Sequence, residues 1–253
     1  MSERGEGTAA RPVVGPPEAI WDQDALVRVR GLTKVYGRGE LEVAALRGVD
    51  LDLAAGEFTA MAGPSGSGKT TLLNMIGALD RPTGGWVEVA GHRASELKPG
   101  DAAEFRLDHV GFVFQAYNLI PVLTAYENAE FTLLLRGVRA DDRRAVVEPL
   151  LHRVGLADLM HRKPPELSGG QQQRVAVVRA LATQPEVVLA DEPTANLDSA
   201  TSRHLLDLML ELNIEMGITF LFSTHDETVI ESARRVIRLR DGRVDRVEVR
   251  AGP

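Results

Sequence analysis

The stretch GPSGSGKT, residues 63–70, decides the fold. In the residues before it (57–62, EFTAMA), Phe58, Ala60 and Met61 form a short apolar run that reads as a buried strand. After it, Leu72, Leu73, Ile76 and Leu79 recur at helical spacing and predict a helix over 69–79. Between strand and helix, Gly63, Gly66 and Gly68 permit backbone angles that bulkier residues resist. Successive N–H groups then converge on an anion at the positively polarised start of the helix. Pro64, Ser65 and Ser67 complete the loop, and Thr71 belongs to the first turn. From that turn Lys69 reaches toward the β- and γ-phosphates of a nucleotide, and the Thr70 hydroxyl suits Mg²⁺. A glycine-rich turn without a ligand is the competing reading, but the string stands in the strand–loop–helix context that phosphate binding requires. Nucleotide binding follows from this stretch; the reaction does not.

The run VVLAD, residues 187–191, ends in an acid, as does a buried parallel strand with Asp191 at its carboxyl end. There Asp191 would hold the Mg²⁺ hydration shell. Glu192 follows at once and can orient and deprotonate an attacking water, a role worth about 10²–10⁴ in rate. Two further residues fit the same edge. Gln115 ends the strand-like run 110–114, and His225 ends the run 218–224. A lone glutamine or histidine at a strand end is ordinarily a solvated cap. Beside the loop at Gly63 they gain a second reading, Gln115 near Mg²⁺ or the attacking water and His225 at the γ-phosphate.

A second string, LSGGQQQR at residues 167–174, has no role in a site that already holds a phosphate loop, unless it serves another copy of the chain. The ordered set GPSGSGKT, Gln115, LSGGQQQR, VVLADEP, residues 196–198 and His225 resembles the ATP-binding subunit of ABC transporters, from about Leu26 to about Val249. That resemblance implies an α/β P-loop NTPase fold: a mainly parallel core sheet, an antiparallel β-subdomain and an inserted α-helical subdomain. It assigns Lys69 and Thr70 to the Walker A role, Asp191 to Walker B, Glu192 to the catalytic base and His225 to the switch histidine. Ser168, Gly169 and Gly170, ahead of a helix expected over 171–182 that Gln171 opens, would contact the γ-phosphate held by the opposite subunit. Asp198 would sit at the dimer seam. Tyr36 resembles the aromatic that stacks on adenine, an interaction worth about 1–3 kcal/mol; the rival reading is a half-buried strand tyrosine.

Residues 26–30, 49–53 and 86–90 alternate apolar and polar, as half-buried antiparallel strands do. The runs beginning at Phe58, Val110, Val187 and Ile218 are continuous and suit a parallel core. Helices are expected over 124–135 and 143–154, stopped by Pro164 and Pro165, which makes about 116–168 the inserted helical subdomain. Residues 234–250 read as a β-hairpin turning at Asp241 and Gly242. The apolar segment 116–123 has two readings, core packing or part of a groove that in the family receives a coupling helix from the membrane subunit.

At 253 residues the chain suits one domain of two lobes, over 23–253, with 1–22 a Gly-, Pro-, Glu- and Arg-bearing tail expected to be mobile. The phosphate loop is not repeated, so a two-site sandwich needs a second chain. Apolar content is 44%, yet no stretch approaches the ~20 apolar residues that span a bilayer, and no charged-then-apolar leader opens the chain. A cytoplasmic protein is expected, peripheral on the inner membrane face through an integral-membrane permease. There are no cysteines, which excludes disulfides and the zinc-bearing repair ATPases that share the signature. The only lysines among 29 basic residues are Lys34, Lys69, Lys98 and Lys163, a bias suggesting a GC-rich bacterial genome. A net charge of -7 offers nucleic acid no global attraction. Residues 35–43 with 45–46, 77–83 and 112–115 resemble a subgroup serving macrolide or antimicrobial-peptide export and lipoprotein release, with a cell-division regulator as cousin and alternative. Chromosome ATPases would carry heptad arms, and ribosome-associated members two ATPase domains in one chain; neither feature is present in the sequence.

Overall fold

A computed structural model of the protein describes residues 25–37 and 39–250. The tail expected over 1–22 lies outside the described residues. The chain runs through β1 (Val27–Tyr36), β2 (Val43–Leu53), β3 (Phe58–Ala62), α1 (Lys69–Ile76), β4 (Gly84–Val89), α2 (Pro99–His109) and β5 (Val110–Phe114). It continues through α3 (Ala125–Leu135), α4 (Ala140–Arg153), α5 (Gly169–Leu181), β6 (Val187–Asp191) and α6 (Ser199–Met216). The last elements are β7 (Thr219–Thr224), α7 (Glu227–Ser232), β8 (Arg235–Arg240) and β9 (Arg243–Val249).

Continuous apolar runs need cover on both faces, and the core sheet provides it. Its order is β5-β6-β7-β3-β8-β9, parallel throughout except for β9. Every residue of β3 and β7 is buried. One face carries Phe58, Phe220 and Phe222 against Leu205, Leu206 and Met209 of α6, with the Phe58 and Phe222 rings 4.6 Å apart. The other face joins Leu72 and Leu73 of α1 to a second sheet, ordered β2-β1-β4 and antiparallel, through Val29, Leu51 and Val87. Alternation along β1 buries Val27 and Val29 and leaves Arg30 to make two bonds to Asp52, at 2.5 and 2.8 Å.

Residues 115–168 contain helices and turns and no strand. Ala129 and Leu133 of α3, Val147 and Leu151 of α4, and Val175 and Val178 of α5 share one core, so α5 is common to the helical layer and the sheet layer.

Several boundaries differ from expectation. α1 stops at Ile76, not residue 79. Gly77 ends it, Ala78 turns to φ 50°, and Leu79 is 45% exposed. A Cβ at position 77 would lie 2.6 Å from the Phe112 ring, so close packing on β5 selects the glycine that terminates the helix. α4 begins at Ala140, three residues earlier than expected, with Asp141 and Asp142 favouring its first turn. α5 begins at Gly169, not Gln171, because Ser168 caps it. The hairpin forms as β8–β9, but β8 also pairs in parallel with β3 and enters the core sheet. Helices α2, α6 and α7 had no counterpart in the sequence reading.

Candidate functional site

The loop between β3 and α1 is fixed by close approaches of backbone. Gly68 has φ 101°, and a Cβ there would lie 2.6 Å from the Ala45 carbonyl oxygen. Gly63 needs no unusual angle; a Cβ there would meet the Leu239 carbonyl oxygen at 2.3 Å, so its glycine is a matter of space on β8. Lys69 is buried, and its Nζ donates to the carbonyls of Gly63 at 2.8 Å and Pro64 at 3.2 Å, arching over its own loop. No carboxylate occupies the first turn of α1, which leaves that helix start suited to an anion. Ser67 is also buried, with Oγ lacking a hydrogen-bond partner among the described residues.

Thr70, in the first turn of α1, donates from Oγ1 to Asp191 Oδ1 at 3.1 Å. Two hard oxygen donors at the foot of a phosphate loop are the set that Mg²⁺ takes, since it binds through one or two protein oxygens together with phosphates and water. Past the end of β6, Glu192 adopts φ 47°, a left-handed angle that costs a non-glycine residue about 1–3 kcal/mol. Its N–H donates to Ser223 O at 2.8 Å. Its Oε1 lies 2.7 Å from His225 Nδ1, and Oε2 accepts from Thr224 Oγ1 at 3.3 Å. An ionised carboxylate can only accept, so Nδ1 is the donor of this pair. Next in the chain, Asp226 caps α7. Burial pushes its carboxyl up, but bonds from Thr228 N and Thr194 Oγ1 outweigh burial and hold it below the ordinary carboxylate range.

A cleft of about 680 Å³ gathers Tyr36, residues 64–71, Gln115, Glu192 and His225. Gly63 borders the cavity on the His225 side, and Asp191 stands behind Thr70. Gln115 is exposed, and its carbonyl accepts from Asn196 Nδ2 at 2.8 Å. Ser168, Gly169, Gly170 and Gln171 do not line this cleft. Ser168 caps α5 by accepting from Gln171 N at 3.3 Å, while Gln171 Oε1 accepts from Ser168 N at 2.8 Å. The two glycines are packing residues within the chain: a Cβ at 169 would lie 2.8 Å from Tyr117 Oη, and one at 170 would lie 2.5 Å from Thr201 Cγ2. Asp198 caps α6, and the Thr201 hydroxyl and backbone hold its carboxyl below the ordinary range.

Sequence reasoning gave no individual role to Asp80, Thr194, Asn196 or Gln173, although Asp80, Asn196 and Gln173 lie within strings it quotes. The readable signal for Gln173 was its place on the apolar stripe of α5 with Ala176, Val177 and Ala180, all buried.

The family model described as "ABC transporter" matches residues 46–195. The lipoprotein-releasing system ATP-binding protein LolD of Anaeromyxobacter dehalogenans is 49% identical over 219 residues, covering 86% of this chain and 92% of that protein. The macrolide export ATP-binding/permease protein MacB of Hyphomonas neptunium is 48% identical over 219 residues, covering 87% of this chain but 34% of that protein. The chain thus spans about a third of the length of such macrolide-export relatives. Among solved structures, a dimeric post-hydrolysis state of the ATP-binding cassette MJ0796 of Methanocaldococcus jannaschii, bound to ADP and Pi, superposes with a TM-score of 0.82 at 43% identity. That alignment covers 90% of this chain and all of the other.

Proposed function

The chain belongs to the ABC transporter family, and on that premise we propose that it is the ATP-binding subunit of a membrane transporter, hydrolysing ATP in a head-to-tail homodimer to move a permease. It is an ABC-type ATPase. The observation that carries the finer reading is the contact of Thr70 with Asp191 at 3.1 Å, with Glu192 and His225 following at 2.7 Å in the same cleft. Thr70 and Asp191, with Gln115 from the same cleft, would hold Mg²⁺, which would neutralise charge on the nucleotide phosphates. Lys69 exchanges the carbonyls of Gly63 and Pro64 for phosphate oxygens. Glu192, oriented by His225, takes the proton of the attacking water. Tyr36 offers its ring to the base.

Ser168, Gly169, Gly170 and Gln171 lie outside this cleft, as residues serving a second copy would. The start of α5 carries no carboxylate in its first turn and suits the γ-phosphate bound by the partner. ATP then bridges both subunits, stabilises the closed pair and releases it on hydrolysis. Residues 23–253 form the ATPase domain and about 116–168 its helical subdomain. No helix among the described residues is long and apolar enough to cross a membrane; similarity to proteins named as ATP-binding parts of export and releasing systems supports attachment through an integral-membrane permease at the inner face. Similarity to proteins named for macrolide export and lipoprotein release supports lipoprotein, macrolide or peptide-like cargo.

The Glu192→Gln variant tests the reading. It is expected to bind ATP, to lose turnover by about 10²- to 10⁴-fold, and to elute as a dimer in the presence of ATP and Mg²⁺. Hydrolysis at the parent rate would remove Glu192 from the role of base.

A further inference from the structure

The segment after β5 is held with unusual completeness. Tyr117 and Asn118 both take left-handed angles, φ 57° and 50°, which persist only where the surroundings over-determine them. The surroundings are side chains from elsewhere in the chain. Phe114 O accepts from Gln173 Nε2 at 3.4 Å and Gln115 O from Asn196 Nδ2 at 2.8 Å. Arg179 of α5 donates to Tyr117 O at 2.9 Å and Asn118 O at 2.5 Å.

Gln173 reaches furthest. It is fully buried on α5, and the same Nε2 donates to Pro193 O at 2.8 Å, one residue beyond Glu192. With carbonyl oxygens on this side, the amide has a single sensible orientation. Its Oε1 is then buried with no hydrogen-bond partner among the described residues. An orphaned buried acceptor disfavours the folded state; a same-sized apolar side chain would remove it, at the cost of leaving Pro193 O without its donor. The amide is therefore a poor choice for packing and a good one for gripping two carbonyls.

We propose that Gln173 is a positioning residue that joins the helix carrying Ser168 and Gly169 at its start, the segment carrying Gln115, and the base Glu192 into one mechanical unit. Asn196 is its second tie. The peptide at Pro193 is held by Gln173, while Glu192 N is held by Ser223 O on the other side. Glu192 is thus clamped at its left-handed angle with its carboxylate on His225. This inference rests on the ATPase reading of the cleft.

The test uses Gln173→Met, which keeps volume and removes the amide, and Asn196→Ala, which alters an exposed residue and does not threaten folding. Turnover, KM for ATP and the thermal midpoint are measured on both variants, on their combination and on the parent. Gln173→Met relieves the orphaned Oε1 but takes the donor from Pro193 O, so the midpoint is expected to fall by no more than a few degrees, and KM to stay within about twofold, since the residue does not line the cleft. Its kcat should fall about tenfold or more, as misplacing a catalytic group by 1 Å costs up to about 10². The combined loss should be smaller than the product of the two, as for residues acting as a unit. Parent-like kcat in Gln173→Met, or a loss that merely follows a lowered midpoint, would overturn the proposal. Should that variant not fold, an unchanged kcat in Asn196→Ala would overturn it as well. A parent chain without ATP turnover would instead bring down the ATPase reading, and this proposal with it.

Discussion

Tyr36 donates its hydroxyl to Asp80 Oδ2 at 2.9 Å, while Lys34 Nζ stands 4.8 Å from the ring centroid and 2.8 Å from Asp80 Oδ1. The cation takes one face of the ring and leaves the other for a base. Burial and the neighbouring Asp80 carboxylate push the phenol pKa up, so it stays a donor. Tyr36→Ala is expected to weaken ATP binding by about 1–3 kcal/mol, roughly 5- to 150-fold. Tyr36→Phe should lose little; equilibrium titration with nucleotide checks both, and equal losses would shift the role from ring to hydroxyl. Lys69, Thr70, Asp191 and Glu192 were legible as candidates because their chemistry is written at short, fixed spacing. The contacts of Asp80 and Gln173 were not, since partners 44 and 59 residues away cannot be read from local sequence, even though the helical stripe marks Gln173 as buried.

Among the elements, buried strands declared themselves most openly: four continuous apolar runs became β3, β5, β6 and β7. What local sequence does not write is which strand lies beside which, and β8 next to β3 was found only in the fold. α2 was illegible for a different reason, because only Ala102 and Phe105 are buried along it, too few to mark a period. α6 shows the reverse. Leu205, Leu206, Met209 and Leu212 carry a full helical period behind the cap Asp198, which invites a motif reading in place of a structural one. The helical layer depends on few large side chains. Leu151→Ala, at a fully buried position of α4, is expected to cost about 2–5 kcal/mol. Denaturant unfolding measures this; a change under about 1 kcal/mol would mean that the layer refills the gap.

For the molecule as a whole, acid is the direction of weakness. Asp80, Glu127, Asp198, Asp226 and Glu248 are all held below the ordinary carboxylate range. Bonds from Thr124 and from Thr201 do this for Glu127 and Asp198; at the other three, burial pushes upward and is outweighed by donors such as Lys34, Thr228 N and Arg246. In each case the folded form binds fewer protons than the unfolded chain near pH 4. The stability these groups contribute is present above about pH 5 and is lost as pH falls through their lowered values. The thermal midpoint should therefore fall below about pH 4, and Asp226→Asn should make that fall shallower; a midpoint flat from pH 6 to 3 would contradict the linkage.

The core sheet ends in β9, which runs against the direction of the other strands and exposes Arg243, Asp245 and Arg246 along its length. A stray strand seeking to extend the ladder would meet charge of both signs where it needs a plain margin. The sheet is hemmed on that side, and its border offers a second copy no ladder along which to polymerise.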